Sequence, residues 1–359
     1  MKKTNKICLS SMLLGCLICA SFFLKAQSGG SGSDLAKFIQ SYQQDASKLV
    51  SAYTQPVVKA VSYGMTGGWY HTGKTHSKFG IDLGVTVSTV FFPTTDNYFN
   101  PSGLGLSQYT TYNGNTTNPS LGANSAPTFP GPKDKTSYTT DIDGAGPIPG
   151  YTFDGPEGLD LKKSIGVSAA PVPMFQLGIG LFFNTDLKIR YVPHIKRGPS
   201  TFQMFGLGLM HDIKQHIPGM KLLPFDLSVL AAFNTVSGTT EMKASAGNAD
   251  NRPASDDGLI TYKLNSWVAQ AIISKKVSVL TFYLGAGYGS VATNVDITGT
   301  FQPTQGGPSI KDPVSIVFKN NSPKLTVGMR LKFGPIYLVG DYTLQKYNAL
   351  AIGFGVSIR

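Results

Sequence analysis

The chain has no cysteine after residue 19. Its three cysteines, Cys8, Cys16 and Cys19, lie near the N-terminus, so the remainder holds no disulfide framework, thiolate zinc site or cysteine nucleophile. A charge run is missing as well. The 31 basic residues outnumber the 20 acidic ones, but they are scattered and form no stripe, which leaves nucleic-acid binding without a footprint. The five histidines, His71, His76, His194, His211 and His216, show no pair at ligand spacing on one strand face. No G-x-S-x-G elbow is present, and acyl-transfer chemistry loses its usual signature. The loop acids Asp141, Asp143, Asp250, Asp256 and Asp257 have spacings too common to signal a cation site. The chain reads as a non-enzyme with no cofactor and no metal.

What stands at the N-terminus is a secretory signal. Lys2, Lys3 and Lys6 precede an apolar stretch from Ile7 to Leu24, and Ala26 offers a cleavage point, so residues 1–26 read as a signal peptide. An anchoring helix of that length is the rival, and acylation at Cys16 a second one. The apolar residues that still follow Cys16 suit the signal's interior better than a mature end. Removing Lys2, Lys3, Lys6 and Lys25 leaves 27 basic against 20 acidic residues, about +7. Export without cysteine fits the periplasm or the outer membrane of a Gram-negative cell.

Residues 68–75, "GWYHTGKT", match the phosphate-loop pattern through Gly68, Gly73, Lys74 and Thr75. That pattern needs a buried strand before it and a helix after it. Here an alternating strand follows, and 41 glycines make chance matches easy. The stretch reads as a turn, with Trp69 and Tyr70 placed at the periplasmic membrane interface. Residues 27–75 thus comprise a linker, a helix and an aromatic turn.

One helical period exists. Leu35, Phe38, Tyr42, Ala46, Leu49 and Tyr53 recur at spacings of three and four, with Ser33 as N-cap and Pro56 past the end. The spacing predicts an amphipathic helix over 34–54 whose face of Leu35, Phe38, Tyr42, Leu49 and Tyr53 could plug a lumen.

From Phe79 onward the period is two. Leu350, Ile352, Phe354, Val356 and Ile358 alternate with Gly, Ala and Ser, and Leu325, Val327, Met329, Leu331 and Phe333 do so with Thr, Gly, Arg and Lys. Strands are predicted near 79–92, 172–182, 186–195, 201–212, 225–236, 263–273, 277–292, 324–333, 336–345 and 349–359. Links alternate between short and long, with tight turns at Phe183–Thr185, Ser274–Lys276 and Phe333–Pro335 and a long loop over 94–171. Short turns on one side and long loops on the other are the mark of an outer-membrane barrel. The fold class is all-β: an antiparallel transmembrane β-barrel over 76–359, of about ten strands (range 8–14), behind an N-terminal helix.

By parity Asp82, Asp186, Lys188, Arg190, Asp226, Arg330, Lys332 and Asp341 point inward. Ten strands leave little more than a crevice. The inward charges therefore read either as a closed ion-pair network or as the lining of a narrow, gated path for a small hydrophobic ligand of unknown identity. In the network, Lys188 and Arg190 join Asp186, and Arg330 and Lys332 face Asp341 across the turn. The alternative to passage is a structural or surface-interaction role. Membrane lipid, lipopolysaccharide and the outer-membrane assembly machinery are the expected partners.

The segments "GGWYHTGKTHSKFGIDL", "LLPFDLSVLA", "DPVSIVFKN" and "DYTLQKYNALAIGFGVSIR" resemble an uncharacterised, Bacteroidota-type family of outer-membrane proteins known only as a domain of unknown function. The likeness covers nearly the whole chain after the signal. It implies location and architecture and no activity. A looser similarity, in the helix-then-barrel order alone, is to fatty-acid-transporter-like barrels with a lumenal N-terminal plug. The last strand finishes Ile358–Arg359, a departure from the aromatic end usual in such barrels.

Overall fold

A computed structural model describes residues 38–39, 43–118, 124–140, 151–242, 258–301 and 310–358. The signal segment, Ser33, Leu35, Tyr42, Asp141, Asp143, Asp250, Asp256 and Asp257 lie outside them. Ten antiparallel strands close into a barrel. They are β1 (Ile81–Phe91), β2 (Ala169–Gly180), β3 (Thr185–Arg197), β4 (Ser200–Asp212), β5 (Asp226–Met242), β6 (Gly258–Val277), β7 (Leu280–Thr298), β8 (Val314–Phe333), β9 (Ile336–Leu344) and β10 (Ala349–Ile358). Each pairs with its chain neighbours, and β1 closes the ring on β10, with Ile81 opposite Ile358 and Val90 opposite Ala349. Closure leaves no strand edge for water or lipid to meet.

The alternation is read out directly. Ile81, Leu83, Phe282, Leu284, Leu325, Val327, Met329, Phe333, Ile352 and Phe354 are exposed, while Asp82, Ser88, Thr281, Thr326, Arg330 and Ala351 between them are buried. The outward residues of β8 stay apolar from Pro323 to Phe333 and turn polar at Asn321 and Lys319. That apolar run is roughly 33 Å along the strand, or about 25 Å of height at the usual tilt, the thickness of the band that lipid covers. Aromatic side chains edge it: Phe79, Phe182, Phe183 and Phe333 toward the short turns, Tyr191, Trp267 and Tyr288 toward the long loops. No helix among the described residues is long and apolar enough to cross a membrane.

Short turns fall where Phe183 and Asn184 take positive φ, at Ser278–Val279 and at Gly334–Pro335. The turn expected at Ser274–Lys276 sits further on because β6 and β7 stay paired out to Val277 and Leu280. The strands β5 to β8 outrun their expected lengths on the opposite side, standing above the apolar band as polar-faced extensions. The long connection between β1 and β2 carries a three-stranded sheet, 110–115, 136–140 and 151–154.

The helix differs most from expectation. It is α1 (Gln43–Met65), running through Pro56 where the sequence predicted an end. Proline deletes an N–H and crowds the preceding turn. Beside the Ala52 carbonyl that Pro56 leaves without its usual donor, Tyr53 O accepts from the Phe129 amide at 3.0 Å and Val50 O from the Thr54 hydroxyl at 2.7 Å, which tie this turn to its surroundings. Tertiary contacts outweigh propensity here.

A plugged lumen as the candidate functional site

The inside of the barrel is occupied by the chain's own N-terminal segment. The first half of α1 meets the long-loop end, where Phe38, Leu49, Val50 and Tyr53 cluster with Tyr138, Phe153, Phe301 and Phe318. The second half descends, bringing Ala60, Tyr63 and Met65 against Val90, Val172, Met204, Leu264 and Val291. Residues 66–80 continue to the short-turn end, where β1 begins.

Room for this segment comes from inner-face glycine. A Cβ on Gly285 would strike the Tyr70 hydroxyl, and one on Gly328 would strike the Tyr283 ring. An eight-stranded barrel is filled by its own side chains. Two more strands, with glycine facing inward, admit a threaded chain.

The end of α1 is clasped from the wall. A helix leaves its last carbonyls unsatisfied and carries partial negative charge there, and α1 has no basic residue in its last turn. Arg190 supplies the cation: Nη1 donates to Met65 O at 3.1 Å and Nη2 to Gly67 O at 2.8 Å. Asn234 Nδ2 also donates to Met65 O at 3.1 Å, and Lys324 Nζ to Thr66 Oγ1 at 2.8 Å. The guanidinium lies 3.7 Å from the Trp69 ring centroid, and Gln176 bridges Arg190 Nε to Trp69 O, both at 3.1 Å. Both Arg190 and Trp69 are 0 % exposed. Trp69 and Tyr70 thus lie in the lumen, not at the membrane interface as the sequence suggested. A buried cation over the indole face holds the first, and the space at Gly285 holds the second.

Lower down, charges meet across the plug. Asp82 accepts from Tyr337 OH at 3.0 Å and lies 3.2 Å from His71 Nε2. Arg330 Nη2 is 3.9 Å from Asp82, its guanidinium 4.4 Å from the Tyr337 ring. Asp186 accepts from the His76 amide and meets His76 Nδ1, each at 2.8 Å, with Lys188 Nζ at 3.9 Å. His76 Nε2 is 3.2 Å from Ser357 Oγ, and Lys332 Nζ donates to Ser357 O at 2.8 Å. Gly73 is pinned by Ser274 Oγ, which accepts its amide at 2.9 Å and donates to Asp226 at 3.3 Å. The Gly68–Thr75 stretch is therefore a lumenal strip, with Trp69 O and both backbone groups of Gly73 bonded to the wall, and it leads into no helix.

All eight inward charges face the lumen, Asp226 and Lys332 half-buried and the others buried. Three pairings differ from those expected, and in one of them Lys332 donates to Ser357 O instead of facing Asp341. Arg330 reaches Asp82 on β1, while Asp341 accepts from Tyr283 OH at 2.9 Å. The register explains it: Gly328 stands opposite Asp341 and Val339 opposite Arg330, so the two are offset along the strands. Arg190 joins the helix end and not Asp186. Phe38, Leu49 and Tyr53 of the plug face are buried; the rest of that face lies outside the described residues. His194 lies in β3, and His211 and His216 approach at 2.9 Å between Nε2 atoms on the short-turn rim. Tyr337 and Lys324, which the sequence did not single out, and His71, His76 and Trp69, to which it gave no lumenal role, carry much of the contact between plug and wall.

Ser357, His76 and Asp186 follow the order of a hydrolytic relay, base between hydroxyl and carboxylate. Ser357 is 1 % exposed, beneath the plug. The trio acts as a latch between plug and wall.

Fold and lumen together define an outer-membrane-type β-barrel occupied by its own N-terminal segment. The chain belongs to the family of unknown function DUF6588, whose model matches residues 1–358. No curated protein matches it. Among solved structures it is similar to the translocator domain of autotransporter NalP from Neisseria meningitidis, at 9 % identity over 78 % of this chain and 88 % of that one, TM-score 0.30. It is also similar to the outer-membrane protease OmpT from Escherichia coli, at 8 % identity over 81 % and 97 %, TM-score 0.25.

Proposed function

We propose that the protein is an exported outer-membrane barrel with a closed lumen, which works through its long-loop face and not as an open passage. The observation that carries this reading is the clasp on the end of α1, where Arg190 and Asn234 hold the carbonyls of Met65 and Gly67 and Lys324 holds the Thr66 hydroxyl. A solute path along the axis has to break that clasp and the His76–Asp186 latch below it. The about 25 Å apolar exterior supports the membrane location, and the sealed Ser357 supports a non-enzymatic role. Lipopolysaccharide, which surrounds any long loop on the outer leaflet, is the natural neighbour.

Gated passage of a small hydrophobic ligand is the second reading. What favours it is the apolar seam of Val90, Val172, Val291 and Leu264 that a displaced α1 would leave. Planar-bilayer conductance separates the two. The closed reading expects no current from the intact protein and a current after removal of residues 27–76, which takes away the helix, the clasp and the latch together. A steady or ligand-triggered current through the intact protein overturns it.

A further inference from the structure

The N-terminal segment threads the barrel in one direction only. Asp45 accepts from the amide and hydroxyl of Ser107, at 2.9 and 2.5 Å, in the long connection between β1 and β2. Ser47 Oγ donates to Pro313 O just ahead of β8. Tyr53 OH donates to Glu157 O at 2.8 Å. Further along, Asn320 Nδ2 meets Ser62 Oγ at 3.3 Å, Arg190 takes residues 65–67, and Asp186 takes His76. Phe79 and Gly80 then bond Gly180 at the short-turn rim. Every step moves from the long loops toward the short turns.

Phe38 stands well outside the lipid band. It packs edge-on against Tyr138 at 5.6 Å between centroids, in one cluster with Ile316 and Phe318 of β8. Those two lie seven and five positions beyond Pro323, where the apolar exterior of β8 stops, or roughly 15–25 Å further along the strand. The 23 residues of α1 span about 34 Å, longer than the band itself.

We infer that the chain enters the barrel from the cell surface: the barrel is a membrane anchor, α1 a tether through it, and Phe38 and the start of α1 stand beside the long loops on the outer side. This rests on the outer-membrane reading, in which the short turns face the periplasm. Hydrogen bonds along the whole lumen, not one contact, fix the direction. A segment attached ahead of residue 38 has then been carried outward through or with the forming barrel, against the direction in which an N-terminal plug entering from the periplasm would point.

The lack of cysteine after residue 19 makes the test clean. Three single variants, Ser33→Cys, Lys311→Cys on the long-loop side and Lys276→Cys beside the short turn, are treated on intact cells with a membrane-impermeant maleimide. Denatured samples give the total for each, and the parent chain gives the background. The inference expects Ser33→Cys to be labelled on intact cells along with Lys311→Cys, and Lys276→Cys only after lysis. Labelling of Ser33→Cys that follows Lys276→Cys overturns it. Should the two reporters exchange behaviour, the orientation of the barrel falls while the threading is still judged by which reporter Ser33→Cys follows.

Discussion

Arg190→Ala should loosen the plug more than any other single change in the lumen. The wild-type guanidinium makes hydrogen bonds to Met65 O, Gly67 O and Gln176 Oε1 and covers the Trp69 ring. Met65 O keeps Asn234 as a donor after the change, whereas Gly67 O loses the Arg190 bond. A buried carbonyl without a donor costs about 1–3 kcal/mol, and a desolvated cation–π contact contributes about 2 kcal/mol. Relief of the buried cation's own desolvation works the other way. A net loss of about 2–3 kcal/mol follows from these contributions, and because the partners of Arg190 are neutral no charge is left unpaired. Arg190→Lys keeps a charge at the helix end but cannot fork between two carbonyls, so its loss should be intermediate. Because both variants strip contacts from Trp69, Arg190→Ala combined with Trp69→Ala should cost less than the two losses added. Urea unfolding in lipid bilayers, read by heat-modifiable gel migration, measures all four. Arg190→Met decides the sign, since it fills most of the volume without the charge. If Arg190→Met is as stable as the parent, the guanidinium's hydrogen bonds do no more than offset its burial, and the clasp is not what holds the plug.

Arg330→Ala and Asp82→Asn should be strongly non-additive in the same assay, while Arg330→Ala and Asp341→Asn should add, because Asp341 is held by Tyr283 and not by Arg330. Leu331→Ala, at a position on the lipid side, should cost less than Arg330→Ala; the reverse order would mean that the two faces of β8 are exchanged. Gly285→Ala should destabilise by about 1–3 kcal/mol through overpacking on Tyr70, and Tyr70→Phe should recover part of that loss; no recovery would place the strain elsewhere. Burial alone would raise the Asp45 carboxyl, but the Ser107 hydroxyl and amide outweigh it and hold the group below the ordinary carboxylate range. A lowered folded pKa means that this stabilisation is complete above the unfolded value and lost as pH falls through the folded one. Amide hydrogen exchange at Ser107 should therefore quicken on acidification in the parent chain and be fast and pH-insensitive, after correction for intrinsic exchange, in Asp45→Asn.

The barrel was legible because two-residue alternation survives any packing detail. A strand with lipid outside and a polar lumen inside has to alternate, and Leu325 to Phe333 or Leu350 to Ile358 do so without exception. The inward charges followed from the same parity. Their partners did not, since Arg330 and Asp82 are 248 positions apart in number and meet only once the sheet closes. The helix was found but misplaced. Its C-terminal half, from Gln55 to Met65, faces wall on several sides and so shows little amphipathic period, and Pro56 disguised the continuation. Trp69 and Tyr70 look like an interfacial pair until Arg190 and Gly285 are brought beside them. The inner-face glycines Gly285 and Gly328 were the available signal: side-chain-free positions on a lumen face imply that something else fills the space.

The most direct measurement joins plug to wall. Thr72 Oγ1 of the lumenal strip and Ser274 Oγ of β6 are 3.4 Å apart, close enough for thiols at the two positions to reach the roughly 2.05 Å of a disulfide with small side-chain movement. In the variant Thr72→Cys with Ser274→Cys, mild oxidation of the membrane-inserted protein should give one intramolecular cross-link. It should be seen as a reducible shift on denaturing gels and as two unreactive thiols, while each single variant remains reactive once denatured. Two free thiols after oxidation of the folded double variant would contradict a lumen plugged by residues 66–80.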